Sequence, residues 1–217
     1  MERHFFEPTH LAALRPENWR IACSLFPAEV PTAKDSRLSR WAKANEDRHA
    51  HTEVLLALAG KGLYRLRDEL YEVRPGTLML FDSFEPHQRD YPEFATAQDH
   101  LWLDIVPAQF TARVLRIRPG HSGVQDSGAL VCRQEDSGVS LESWAFGYGD
   151  MDGVPDQVRR TRLLATVAGM VAAIQKADIA PEEFESRRAF RARILATIRD
   201  HIRNNAGKGA SLDHLSR

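Results

Sequence analysis

A change of hydrophobic period at Pro155 constrains this chain more than any other feature. Before it, turn signals recur at roughly ten-residue intervals. They are Gly60-Lys61-Gly62, Arg74-Pro75-Gly76, Glu85-Pro86, Pro119-Gly120, Ser122-Gly123, Ser127-Gly128, Ser137-Gly138 and Gly147-Tyr148-Gly149. Between them lie runs of strand length and composition: Thr52–Ala59, Leu63–Arg67, Leu70–Val73, Thr77–Phe81, His100–Val106 and Arg113–Arg118. Short strands at this spacing predict a sandwich or barrel. After Pro155 the period becomes helical. Leu164, Val167, Val171 and Ile174 form one stripe along Asp156–Ala177, widened by Leu163 and Met170.

A second helix is expected from Pro181, with Glu182 and Glu183 in its first turn. Its stripe is Phe190, Ile194, Ile198 and Ile202, joined by Leu195, and Asn204-Asn205-Ala206-Gly207 ends it. The short Lys176–Ala180 connection makes the two helices antiparallel neighbours. Its arginines (Arg187, Arg188, Arg191, Arg193, Arg199, Arg203) read as the solvated face opposite the stripe. Three parts result: a barrel over 1–155, a helix pair over 156–206 and a remnant over 207–217. In the last, Ser211 is a good N-cap, and Leu212 and Leu215 are one helical step apart. So short a helix has little stability alone, so this end is expected to be a truncation.

Composition enters as a set of exclusions. The 217 residues are 43% hydrophobic and 27% charged, enough for a real core and unlike a disordered chain. No run approaches the roughly 18 apolar residues of a membrane span, and the opening MERHFFEPTH lacks a signal pattern. Cys23 and Cys132 are lone cysteines, which suits a reducing cytoplasm. The 29 basic and 30 acidic residues nearly cancel, but unevenly: residues 1–155 hold 17 and 23, the remainder 12 and 7.

The chemistry is concentrated at Arg48-His49-Ala50-His51-Thr52-Glu53. On an extended chain residues i and i+2 share a face, about 7 Å apart, so His49 and His51 make half of a transition-metal site. Pro86-His87 follows the Thr77–Phe81 strand and supplies a third imidazole. Three histidines hold Zn, Ni or Fe while leaving open positions; alternatively, they line a ligand cavity without metal. His100, Trp102 and Asp104 alternate on one strand face. His100 and Trp102 are candidate ligand contacts, with Trp102 as a plain core residue the other reading. Arg65 and Arg67 are expected to face solvent.

The order His-x-His, strand, Gly-x-Gly, strand, Pro-Gly, strand, Pro-His resembles the first half of a cupin, the small double-stranded β-helix barrel. His49, His51 and Gly62 match its first motif, and Gly76 and His87 its second. Four places depart from the pattern. Lys43 replaces the opening glycine, and Leu55 or Leu56 the metal-binding glutamate. Asp82 and Phe84 replace the Pro-x-Gly pair, and Tyr91 the final asparagine. Glu53 is a less natural substitute for that glutamate. The stretch from His49 to His87 is also similar to the sensor domain of AraC-type bacterial transcription regulators, and Ile198–Arg217 to the start of their DNA-binding domain.

This resemblance implies a mainly β fold with α, a cupin-like jelly-roll barrel followed by an antiparallel helix pair. It implies a non-enzymatic ligand-sensing and dimerisation domain. A small-molecule effector in the barrel would control DNA binding by a helix-turn-helix domain absent from this chain. A homodimer through 156–204 is expected, because the apolar residues of Asp156–Ala177 exceed what one hairpin buries. The alternative is a metal-dependent cupin enzyme, a dioxygenase or isomerase, with His49, His51 and His87 on the metal.

Overall fold

The structure is a computed structural model that describes residues 5–119, 124–141, 153–177 and 184–185. In chain order the strands are β1 (Arg20–Ala22), β2 (Thr32–Ala33), β3 (Glu46–Asp47), β4 (Thr52–Gly60), β5 (Gly62–Leu66), β6 (Glu69–Val73) and β7 (Thr77–Phe81). Then come β8 (His87–Gln88), β9 (Gln98–Val106), β10 (Gln109–Ile117), β11 (Gln125–Asp126), β12 (Ala129–Arg133) and β13 (Phe184–Glu185). Two helices, α1 (Ser36–Ala44) and α3 (Asp156–Ala177), the single turn α2 (Gln134–Ser137) and two short 3-10 turns, Pro8–His10 and Pro16–Asn18, complete the described elements. The larger sheet runs β1-β7-β4-β9-β10-β12-β13 with β11 beside β10, and the smaller runs β2-β6-β5-β8-β3. Only β1–β7 among these pairings is parallel. The result is the expected cupin-like β-sandwich.

Both faces of the larger sheet are covered, which explains the unbroken apolar reading of β4. On one face Leu55, Ala57, Met79, Phe81 and Trp102 meet Tyr64, Leu66 and Val73 of the smaller sheet. On the other, Val54, Leu56, Leu58, Leu78, Leu80, Leu101 and Leu103 form a second core with Phe5, Leu14, Trp19 and α3. The β4–β5 turn depends on glycine. Gly60 has φ +81°, and a Cβ there would lie 2.1 Å from the Ala97 carbonyl oxygen.

The helix after Pro155 forms where the period predicts it. Its buried residues are Leu163, Thr166, Val167, Met170, Val171 and Ile174. Leu164 is only partly buried, so Leu163 and Met170 carry the centre of the stripe. These side chains pack on the chain's own sheet, which absorbs the apolar surplus on which the dimer argument rested. The expected helix from Pro181 does not cover Phe184 and Glu185, which are extended and pair with Leu130 and Ala129. The remainder of that helix, its arginines and Ser211–Arg217 lie outside the described residues. Arg65 is a further correction. It is 5% exposed and ion-paired with Glu46 at 2.9 Å, whereas the Arg67 side chain is 57% exposed. Among the described residues no helix is long and apolar enough to cross a membrane.

Candidate ligand and metal site between the sheets

Strand alternation turns Glu53, Leu55 and Ala57 of β4 into the space between the sheets, with Gln98, His100, Trp102 and Asp104 of β9. Aromatic rings occupy the middle of that space. Phe81 stacks on Trp102 at 5.6 Å, and Tyr64 lies 5.9 Å and 5.8 Å from them. Polar groups gather at either end.

At the first end three imidazoles converge on one carboxylate. Glu53 Oε2 lies 3.0 Å from His49 Nε2 and 3.4 Å from His87 Nε2, and Oε1 lies 3.1 Å from His51 Nε2. His49 and His51 stack at 3.9 Å, closer than the 7 Å of an extended chain, because both precede β4 at a bend. The His49 Nδ1 lies 3.1 Å from the His51 carbonyl, and the His87 Nδ1 lies 2.8 Å from that of Glu85. A carbonyl only accepts, so both Nδ1 atoms carry protons and both Nε2 atoms face the carboxylate. An Nε2 lone pair at 3.0 Å from a carboxylate oxygen needs a cation between them, either a proton or a metal.

The charges follow from this packing. Burial works against ionisation of Glu53, but the hydrogen bonds from His49, His51 and His87 outweigh it and hold the carboxyl well below its ordinary range. Burial likewise opposes charge on His49, yet the Glu53 hydrogen bond and charge raise it. Asp104 stands opposite Glu53 across β4 and β9. Burial pushes it up to about 6, with Arg113 pulling down and Glu53 adding to the rise. Arg113 Nη2 donates to both Asp104 oxygens at 3.1 Å.

At the second end, the Tyr91 hydroxyl lies 2.6 Å from His100 Nδ1 and 3.1 Å from Trp102 Nε1. Burial drives His100 down to about 3, so its ring is neutral.

The structure therefore brings His49, His51 and His87 together and sets His100 apart, with Phe81 standing between His87 and Trp102. Four residue steps along β9 separate Asp104 from His100, about 13 Å. Trp102 is 5% exposed and belongs to the core that also lines this space, which is the plain core reading of it. Sequence reasoning undervalued Glu53, although 49, 51 and 53 form one i+2 series. Asp104 continues the 100, 102 series in the same way. Tyr91 was visible only as a departure from the asparagine pattern. Arg113 carried no signal, since it reaches the site through the β9–β10 register.

The donor set suits a transition metal. The ligand atoms of His49, His51 and Glu53 lie within 4.8 Å of one another, with His87 on the same carboxylate. Three imidazole nitrogens and a carboxylate oxygen match Zn, Ni or Fe.

Two facing sheets with a polar cluster held between them define a cupin-like binding domain. The family model for AraC-like ligand binding domains matches residues 33–187, and the chain belongs to that family. Neither a curated protein nor a solved structure matches it.

Proposed function

We propose that this chain is the ligand-sensing domain of a cytoplasmic AraC-type transcription regulator, in which a small-molecule effector between the sheets controls DNA binding by a helix-turn-helix domain. The convergence of His49, His51 and His87 on buried Glu53 carries this reading. A few convergent polar groups beside apolar and aromatic side chains are how a small-molecule site is built. His49, His51, His87 and Glu53 would hold a divalent metal, which when bound supplies a Lewis-acidic centre at this end of the space. The chain's own residues do the rest. The carbonyls of His51 and Glu85 fix two imidazole tautomers, and Asp104 with Arg113 backs the carboxylate.

The signal has a short route. Glu53 and Leu55 face the site while Val54 and Leu56 face the core beneath α3, so one backbone thickness separates effector from helix. An effector that prefers one seating of β4 and β9 shifts the seating of α3. Homodimerisation through the helices of 156–204 belongs to the same reading. Because Val167 and Val171 are engaged by their own sheet, the contact falls to other residues of the segment.

Metal analysis of tag-free protein, with thermal unfolding against added metals and small molecules, tests this. We expect about one metal per chain, lost when His49 and His51 are both changed to alanine. A folded protein whose unfolding responds to no metal and no small molecule sinks the sensing reading. Metal-dependent oxygen consumption would instead favour the dioxygenase.

A further inference from the structure

The loop between β8 and β9 sends one side chain into the space between the sheets. Most of this loop is exposed, including Arg89, Asp90, Glu93, Phe94 and Thr96. Tyr91 instead turns inward, its ring 5.9 Å from Tyr64 and 5.3 Å from His100. Trp102 Nε1 can only donate, so the Tyr91 oxygen accepts there, and its one proton runs to His100 Nδ1. The polar atoms of Trp102 and one of His100 are thus engaged by a phenol from the chain itself.

This place offers more hydrogen bonding than Tyr91 uses. With Nδ1 accepting, the neutral His100 ring carries its proton on Nε2. That nitrogen is fully buried and has no partner, and neither does the buried Gln98 Oε1 two residues away on the same face. Buried groups of this kind are costly unless something pairs them. The loop itself is tied at a few points, none of them to the core. Arg89 N donates to the Asn45 carbonyl at 2.9 Å, and its guanidinium lies 3.7 Å from Asp47. Gln88 Nε2 donates to the Asp90 carbonyl at 2.7 Å and Gln98 Nε2 to that of Thr96 at 3.3 Å. Thr96 Oγ1 donates to the Lys61 carbonyl, and the Arg37 guanidinium lies 3.8 Å from the Phe94 ring centre.

Resting on the sensing reading above, we propose that the effector is a neutral phenol or similarly hydroxylated aromatic, and that it binds by taking the place of the Tyr91 ring and releasing the 89–97 loop. The chemistry around Tyr91 sorts the alternatives. Its hydroxyl has two neutral partners, so a carboxylate or ammonium there would lose hydration with no opposite charge in return. A polyol would strand most of its hydroxyls against Tyr64 and Trp102. A flat ring with one hydroxyl gains the same ring contacts that Tyr91 makes. The hydroxyl of a ligand not tethered to the loop is also free to reach His100 Nε2 or Gln98 Oε1.

The test is chemical complementation. Tyr91→Ala removes a phenol's worth of side chain, and the probe is phenol itself, with benzene as the control. By calorimetry Tyr91→Ala should bind phenol at least about tenfold more tightly than wild type does, and more tightly than it binds benzene. Adding His100→Phe should erase the preference for phenol. In the wild type, phenol should speed chymotryptic cleavage after Phe94 as the loop leaves. A folded Tyr91→Ala that binds phenol no better than benzene overturns the proposal, as does phenol binding to wild type with unchanged cleavage. If Tyr91→Ala does not fold, Tyr91→Phe keeps the ring and removes the competing hydroxyl. Phenol affinity must then rise above wild type, and an unchanged affinity overturns the proposal. A phenol failure beside a wild-type response to metal or another compound removes the phenol assignment alone and leaves the sensing reading standing.

Discussion

Asp99 and His100 are chain neighbours on β9 with opposite fates, and both should be readable in the acid limb of stability. Asp99 points to the opposite face of the sheet, where it is 4% exposed beneath the N-terminal segment. Burial alone would raise it, but the His10 hydrogen bond at 3.1 Å and the Arg118 ion pair at 2.5 Å bring it down to about 2. A carboxyl lowered on folding contributes stability that is present above its unfolded value near 3.8 and lost as pH falls toward 2. The shift corresponds to about 2 kcal/mol. His100 points inward, and burial lowers it from 6.5 to about 3. Below 6.5 the unfolded chain binds a proton that the folded one refuses, so stability falls by about 1.4 kcal/mol per pH unit until about 3. Urea unfolding across this range should show His100→Phe flattening the upper part of the acid limb and Asp99→Asn the lower. A His100→Phe variant with the full wild-type slope between pH 6.5 and pH 4, roughly, would remove this account of His100.

Two turns and one helix decide how well the elements hold. The β9–β10 hairpin turns at Pro107-Ala108, and Ala108 has φ +67°. Proline followed by a left-handed residue is a type II turn, in which glycine is the favoured second residue. Ala108→Gly should therefore raise stability by about 0.5–1 kcal/mol, measured as a shift in denaturant midpoint at constant slope. Gly60→Ala should do the reverse and by more, about 2 kcal/mol or above, because its Cβ would collide with the Ala97 carbonyl at 2.1 Å. If Ala108→Gly destabilised the fold, the left-handed turn would be wrong. In α3, Val167 is 0% exposed and Val171 is 3% exposed against the larger sheet. Lysine at either position strands a charge in a core, so Val167→Lys should abolish cooperative melting rather than yield a folded monomer. A well-folded monomeric Val167→Lys would put the helix face at an interface after all.

The molecule as a whole is a sheet with a different task on each face. One face joins the smaller sheet around the histidines, aromatics and carboxylates; the other seats the N-terminal segment and α3. Anything that reseats β4 or β9 is felt on both sides, because adjacent residues of one strand serve the two cores. Saturating the His49–His51–Glu53–His87 site with Zn should slow amide exchange in α3 as well as in β4. Protection confined to the strands would show that the two faces are not coupled through the sheet.

Local pattern carried the strand positions, because side chains alternate with period two in strands and turns need glycine or proline whatever surrounds them. Thr77–Phe81 is the strand that its short apolar run and the Pro75-Gly76 turn predicted. The helix of Asp156–Ala177 and the pairing of His49 with His51 were legible for the same reason, since each rests on contacts within a few residues. What covers an apolar face is not a local property. The stripe of α3 reads identically whether it meets a second helix, a second copy or a sheet, and only the tertiary structure gives it to the sheet. The short strands β1, β3 and β8 are held by their neighbours rather than by propensity and left little trace in the sequence. Glu53 became the hub of the histidines, and Tyr91 the phenol between the sheets, through strand register and loop path. Those depend on pairings between residues far apart in the chain, which local pattern does not encode.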